Sequence, residues 1–180
     1  QRPLRRAWQQ DDVLVERWRS EQFPALQVRA KAKGATILFG DESGMRSDYH
    51  TGTTWTPCGQ TPVVRSTGNR FSVQMLSAIS AEGELHFMLH EGSVNSSVFI
   101  RFLEKLMLGR DRPVILVLGG HSIHKSKEVC VHVASTNGML ELAYRSPYSP
   151  QLNPDEQGWK NVKERVSKML PTDKSTFVKK

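Results

Sequence analysis

Apolar positions along the chain fall into helical and strand periods that alternate in a definite order. From Asp11 to Lys33 the pattern is helical: Asp11 and Asp12 offer an N-cap, Leu14, Trp18 and the Phe23–Leu26 region supply the apolar positions, and Gly34 stops it. Thr36 to Phe39 in ATILFGDES reads as a short apolar strand ending at Gly40-Asp41-Glu42, and TTWTP suggests a further strand within turn-forming residues. RFSVQMLSAIS and ELHFMLH predict two strands joined by a hairpin at Ala81-Glu82-Gly83. In the second of them Leu85, Phe87 and Leu89 alternate with His86, Met88 and His90, as in an antiparallel strand with one wetter face. Asn95-Ser96-Ser97 caps a helix with the stripe Phe99, Phe102, Leu103, Leu106. Val114 to Leu118 is apolar without alternation, which predicts a strand buried on both faces. A helix through Val129, Cys130 and Val133 follows, then a strand at Leu140–Tyr144, the loop SPYSPQLNP, and a closing helix from about Asp155 to Leu170.

An antiparallel run followed by βαβ units predicts an α/β fold, a mixed sheet with helices on both faces. Ribonuclease H-like domains have this order of elements. At 180 residues one such domain is expected, with an ordinary globular composition of 38% hydrophobic and 24% charged residues. No apolar run reaches bilayer length, so no membrane partner is expected. QRPLRRAWQQ lacks the apolar core of a signal peptide and reads as the start of a piece cut from a longer chain. Cys58 and Cys130 have no CxxC partners, which favours a reducing compartment and a structural role over zinc or a disulfide framework. The net charge of +7 is concentrated at the ends: residues 1–34 hold eight Lys/Arg against four acids, and residues 160–180 hold seven against two. A basic periphery around a mildly acidic middle suits a polyanion outside and cations inside, although solvated helix faces would give the same tally.

The candidate chemistry lies where apolar runs end. Asp41 follows a strand whose end can open on a cleft, whereas Glu42, one position on, should point to the opposite face. Asn153-Pro154 reads as N-cap and first position of the last helix. Glu156 then lies on the inward stripe, three residues before Trp159, and Asp155 is expected to be a solvated first-turn acid. Two carboxylates from distant parts of the chain could hold divalent ions for phosphodiester chemistry, the ions being about 3.5–4 Å apart in a two-metal site. A bridging third acid would come from the end of the central strand, where the chain has Gly119. His121 and His124 have no partner pair at zinc spacing; His121 is expected beside a phosphate and His124 on a helix surface. Ser122 in GGHSIH does not form a GxSxG elbow, and the same stretch is no phosphate-binding GxxxxGK[ST] loop.

ILFGDESGMRSD, VLGGHSIHKSK and SPYSPQLNPDEQGW together resemble the catalytic domain of bacterial insertion-sequence transposases of the mariner-related group, from about Thr36 to Met169. The resemblance implies a ribonuclease H-like DDE endonuclease domain at residues 35–170. Residues 1–34 would be a helical linker after an absent DNA-binding region, and residues 171–180 a basic tail. It further implies Asp41 and Glu156 as catalytic Mg²⁺ ligands, with Mn²⁺ as a substitute. The family's second aspartate falls at Gly119, and the 36 residues between positions 119 and 156 match the expected separation. Glu128 lies too far down the next helix to substitute, and Gly120 is equally empty. The chain is therefore expected to be a DNA-cleaving and strand-transferring enzyme by family, but itself inactive or nearly so. A non-catalytic DNA-binding or dimerisation module is the alternative. The intact surroundings of Gly119 favour a single recent or engineered change over decay. Double-stranded DNA is the expected partner, through Arg46, His121, Lys125, Lys127, Lys160 and Lys163, with a homodimer conceivable and a bacterial, nucleoid-associated cytoplasmic location.

Overall fold

A computed structural model describes residues 8–46, 55–61, 63, 72–155, 159, 162 and 163. Five strands form one sheet in the order β3-β2-β1-β4-β5, with β1 Thr36–Arg46, β2 Ser72–Ser80, β3 Leu85–His90, β4 Val114–Leu118 and β5 Leu140–Tyr144. β1, β2 and β3 pair antiparallel, and β4 and β5 add in parallel beside β1. This is the mixed ribonuclease H-like sheet.

One face is covered by α3 (Ser96–Met107) and α4 (Lys127–Ser135). The α3 helix begins where expected, because Asn95 Oδ1 accepts the Val98 N–H at 3.0 Å. Its apolar stripe, Phe99, Phe102, Leu103 and Leu106, is wholly buried against Leu38, Leu76, Leu116 and Leu118. Each such side chain contributes about 1.5–3 kcal/mol on leaving water. The other face is covered by α1 (Asp12–Arg17) and α2 (Phe23–Lys33), joined by a π-helical turn at Trp18–Gln22. Asp11 Oδ1 accepts from Val13 N at 2.8 Å, as its N-cap role predicts, and Gly34 ends the run at φ 63°. Val15, Trp18, Leu26 and Ala30 bury against Phe39, Ile115 and Val117. Arg29 and Lys33 both reach Glu141 on β5, at 2.7 and 2.8 Å.

The structure corrects several expectations. β1 runs well past Phe39 to Arg46, so Asp41 lies within a strand still paired to β2 rather than beyond its end. Gly40 allows this, since a Cβ there would approach Leu118 Cδ2 to 2.9 Å and the Ser77 carbonyl oxygen to 3.3 Å. Residues 55–61, the described part of the TTWTP region, form a turn and no strand, with Trp55 wholly exposed. On β3 the buried residue is Met88, while Leu85 and Phe87 are exposed: β3 is an edge strand whose Met88 side meets the α3 core. Both cysteines are free and exposed, and Cys130 Sγ donates to the Lys125 carbonyl oxygen at 3.9 Å. Among the described residues no helix is long and apolar enough to cross a membrane. The closing helix lies largely outside the described residues. Trp159 is buried with Met45, Val73 and Met75 near the far end of β1.

Candidate active site

Three neighbouring strands bring three positions abreast on one face. β1 and β4 run parallel in a register that ends with Phe39 opposite Val117, both packed under α1 and α2. Two residues further along each strand come Asp41 and position 119. Side chains alternate along a strand, so both positions face the same way. β4 and β5 end with Leu118 opposite Tyr144, and the next pair is Gly119 and Arg145; the Arg145 N–H donates to the Leu118 carbonyl at 2.9 Å. Asp41, Gly119 and Arg145 thus form a row across the sheet.

The row is electrostatically closed by Arg145. Its side chain is 94% buried, with Nη2 3.9 Å from Asp41 Oδ1, an ion pair in range but longer than a hydrogen bond. Seen from position 119, an ideal Cβ would stand 3.4 Å from the same Nη2. The arginine therefore reaches across the glycine toward the aspartate.

Opposite Asp41 on β2 is Ser77, whose hydroxyl donates to Asp155 Oδ2. Asp155 is buried, which corrects its reading as a solvated first-turn acid. It precedes buried Trp159 by four residues, one helical turn, and so belongs to the inward stripe of the last helix. Asn153 Oδ1 accepts the Asp155 N–H at 3.3 Å, in keeping with Asn153 as the cap of that helix. Glu156 lies outside the described residues.

The backbone after β4 is fixed from the other face. Glu42 does point opposite to Asp41, and its Oε1 lies 2.6 Å from His124 Nε2, while His124 Nδ1 lies 3.0 Å from the Gly119 carbonyl oxygen. His124 is 1% exposed and rests on Phe99 with ring centroids 4.6 Å apart. Its reading as a helix-surface residue is corrected: Ser122–Lys125 is a 3₁₀ turn that buries His124 and leaves Ser122 and Lys125 exposed. Tyr144 donates its hydroxyl to the His124 carbonyl at 3.0 Å, and burial pushes that phenol up from its ordinary value.

The expected DNA-contacting residues divide into two places. His121, Lys125 and Lys127 are exposed on the segment that follows Gly119, with Lys125 Nζ 4.9 Å above the Tyr144 ring. Arg46 is exposed at the far end of β1, five residues and roughly 16 Å from Asp41 along the strand. Lys163 is half-buried, and Lys160 lies outside the described residues. Sequence reasoning passed over Arg145 and misread Asp155 and His124. Asp155 had a signal, one turn before buried Trp159, whereas Arg145 had none in its local sequence.

A divalent ion does not fit the described residues. Asp41 is the one carboxylate in the row, position 119 offers only backbone, and the space before it is taken by a guanidinium. No three His, Cys, Asp or Glu side chains converge as a metal site among the described residues.

The order and directions of the five strands are those of a ribonuclease H-like domain. Residues 36–177 match the family described as DDE superfamily endonuclease, and the chain belongs to that family. No curated protein matches it. Among solved structures, the Mos1 strand transfer complex aligns with a TM-score of 0.71 at 19% identity, covering 98% of this chain and 55% of that one. The Mos1 mariner paired end complex with Mn aligns at 0.67 and 19%, covering 92% and 53%. The catalytic domain of Mos1 mariner transposase aligns at 0.64 and 15%, covering 96% and 80%. At these identities the likeness is one of fold, and the chain spans little more than half of the longer transposase chains.

Proposed function

We propose that the chain is the catalytic domain of a DNA transposase that acts on double-stranded DNA at transposon ends, and that Gly119 leaves it impaired in cleavage. One observation carries this reading: position 119 stands beside Asp41 on the same face, where a carboxylate would complete a pair of acids from adjacent strands. The hydrogen bond from Ser77 to Asp155 supports it, since it draws Asp155, the neighbour of Glu156 in sequence, to the strand position opposite Asp41. Asp41 and Glu156 are the family's metal ligands in this reading, with Mg²⁺ or Mn²⁺ as the family cofactor. The described residues of this chain do not form such a site by themselves. His121, Lys125 and Lys127 would hold phosphates beside the strand ends, with Arg46, Lys160 and Lys163 as outlying contacts. Residues 1–34 would link residues 35–170 to a preceding DNA-binding region, with residues 171–180 as a basic tail. A homodimer pairing two ends in the bacterial cytoplasm, on the nucleoid, completes the reading.

The non-catalytic alternative is favoured by Arg145, whose charge occupies the site. The test is gel-shift and strand-cleavage assays on transposon-end duplexes with Mg²⁺ or Mn²⁺. Binding without cutting is expected. Robust cutting overturns the impairment, and failure to bind duplex DNA overturns the nucleic-acid reading.

A further inference from the structure

We propose that Arg145 is a resident cation of this site, holding Asp41 in place of a divalent ion, and that Gly119 and Arg145 form one coupled arrangement. The proposal rests on the reading of the β1–β4 edge as the family's site, and deepens it.

The three residues occupy consecutive strands, β1, β4 and β5, at matching heights, so a side chain from β5 can reach β1 only by crossing position 119. Arg145 makes that crossing. Its Nη2 comes within 3.9 Å of Asp41 Oδ1 and would lie 3.4 Å from a Cβ at 119. The backbone at Gly119 lies outside the left-handed region, so it does not itself demand glycine. A Cβ would also be accommodated, at ordinary van der Waals distance. The atoms beyond Cβ are what meet the guanidinium. An aspartate at 119 would put its carboxylate against Arg145 and pair with it, rather than stand free beside Asp41 as a ligand.

Two cations repel at this separation, and an arginine side chain 94% buried cannot be displaced into water without losing its packing. Asp41, itself 79% buried, meets a fixed positive charge that needs no ligand loading. His124 holds the Gly119 carbonyl from below, so the strand end does not swing away to make room. Restoring the acid alone therefore does not restore a metal site: two positions must change together.

The experiment compares the parent chain with Gly119→Asp, Arg145→Gln and the double variant, by thermal melts in EDTA and in Mn²⁺ and by calorimetric Mn²⁺ titration. The parent is expected to melt at the same temperature in both buffers. Gly119→Asp is expected to raise the melting temperature in EDTA, because the new carboxylate pairs with Arg145. The double variant is expected to bind Mn²⁺ at least about tenfold more tightly than Gly119→Asp, the usual scale of one supporting interaction at a metal site. The proposal is overturned if Gly119→Asp melts lower in EDTA and is rescued by Mn²⁺, as two clustered acids around a metal would behave. It is equally overturned if the parent takes up Mn²⁺ in a manner abolished by Asp41→Asn. Gly119→Asp keeps Arg145 and so decides the matter even if Arg145→Gln fails to fold. Duplex-DNA binding in EDTA, measured on the same proteins, separates the two readings. Its loss counts against the transposase assignment, while the melts alone judge the cation.

Discussion

His124 shows how single side chains set the site. It is almost wholly enclosed, stacks on Phe99, and joins Glu42 to the carbonyl of Gly119. Replacing it with alanine removes two hydrogen bonds, leaves the half-buried Glu42 carboxylate without that partner, and opens a cavity beside Phe99. We expect His124→Ala to cost about 2–4 kcal/mol in urea denaturation, the range for removing a buried hydrogen-bonding group together with its packing. A change below about 0.5 kcal/mol, the scale of an inert surface substitution, would contradict this. Asp41 and the glycine at 119 were legible as residues ending apolar runs. Arg145 was not, because a lone arginine between a strand and a proline-rich loop has no local signature. Its partner is 104 positions away in the chain, and only the parallel register joins them. His124 was misread for a related reason: nothing in HSIHKSK distinguishes a helix surface from a tight turn folded into the core.

Among the elements, the strongest patterns translated directly. α3 has four apolar residues at helical spacing behind an asparagine cap, and all four are buried. Val114–Leu118, apolar throughout, is the strand clad on both faces. Local pattern failed where cover decides burial. β3 alternates as expected, but at the sheet edge the apolar row Leu85 and Phe87 faces outward, while Met88 meets α3. The β2–β3 hairpin is instead tied to the end of α3 by Glu84, which sits 2.6 Å from His86 Nε2 and accepts a hydrogen bond from Arg110 Nη2. The hydrogen bond from His86, and next the charge of Arg110, hold the Glu84 carboxyl below its ordinary value of 4.5. A carboxyl lowered in the folded state stabilises fully above that ordinary value. The contribution then disappears as pH falls through the lowered one. Melts of Glu84→Gln should therefore differ from the parent at neutral pH and converge with it in acid. The difference should stay under about 1 kcal/mol, because the group is largely solvated. A difference that grew toward acid pH would contradict the assignment.

At the scale of the whole molecule, the proposed duplex binding makes a prediction about charge. The net charge of +7 lies toward the chain ends, while the exposed His121, Lys125 and Lys127 follow the strand that carries position 119. Duplex binding should weaken linearly in log–log coordinates as salt rises. Lys125→Glu with Lys127→Glu should lower the slope by about two, roughly one for each phosphate no longer neutralised. An unchanged slope would remove these residues from the interface.

Arg145 as the cation that holds Asp41 beside position 119 is open to a direct test. Paramagnetic broadening of backbone amide signals during Mn²⁺ titration addresses it residue by residue. In the parent chain the amides of residues 40–42 and 118–120 should remain sharp, and they should broaden selectively once Gly119→Asp and Arg145→Gln are combined. Selective broadening of those amides in the parent would contradict the account.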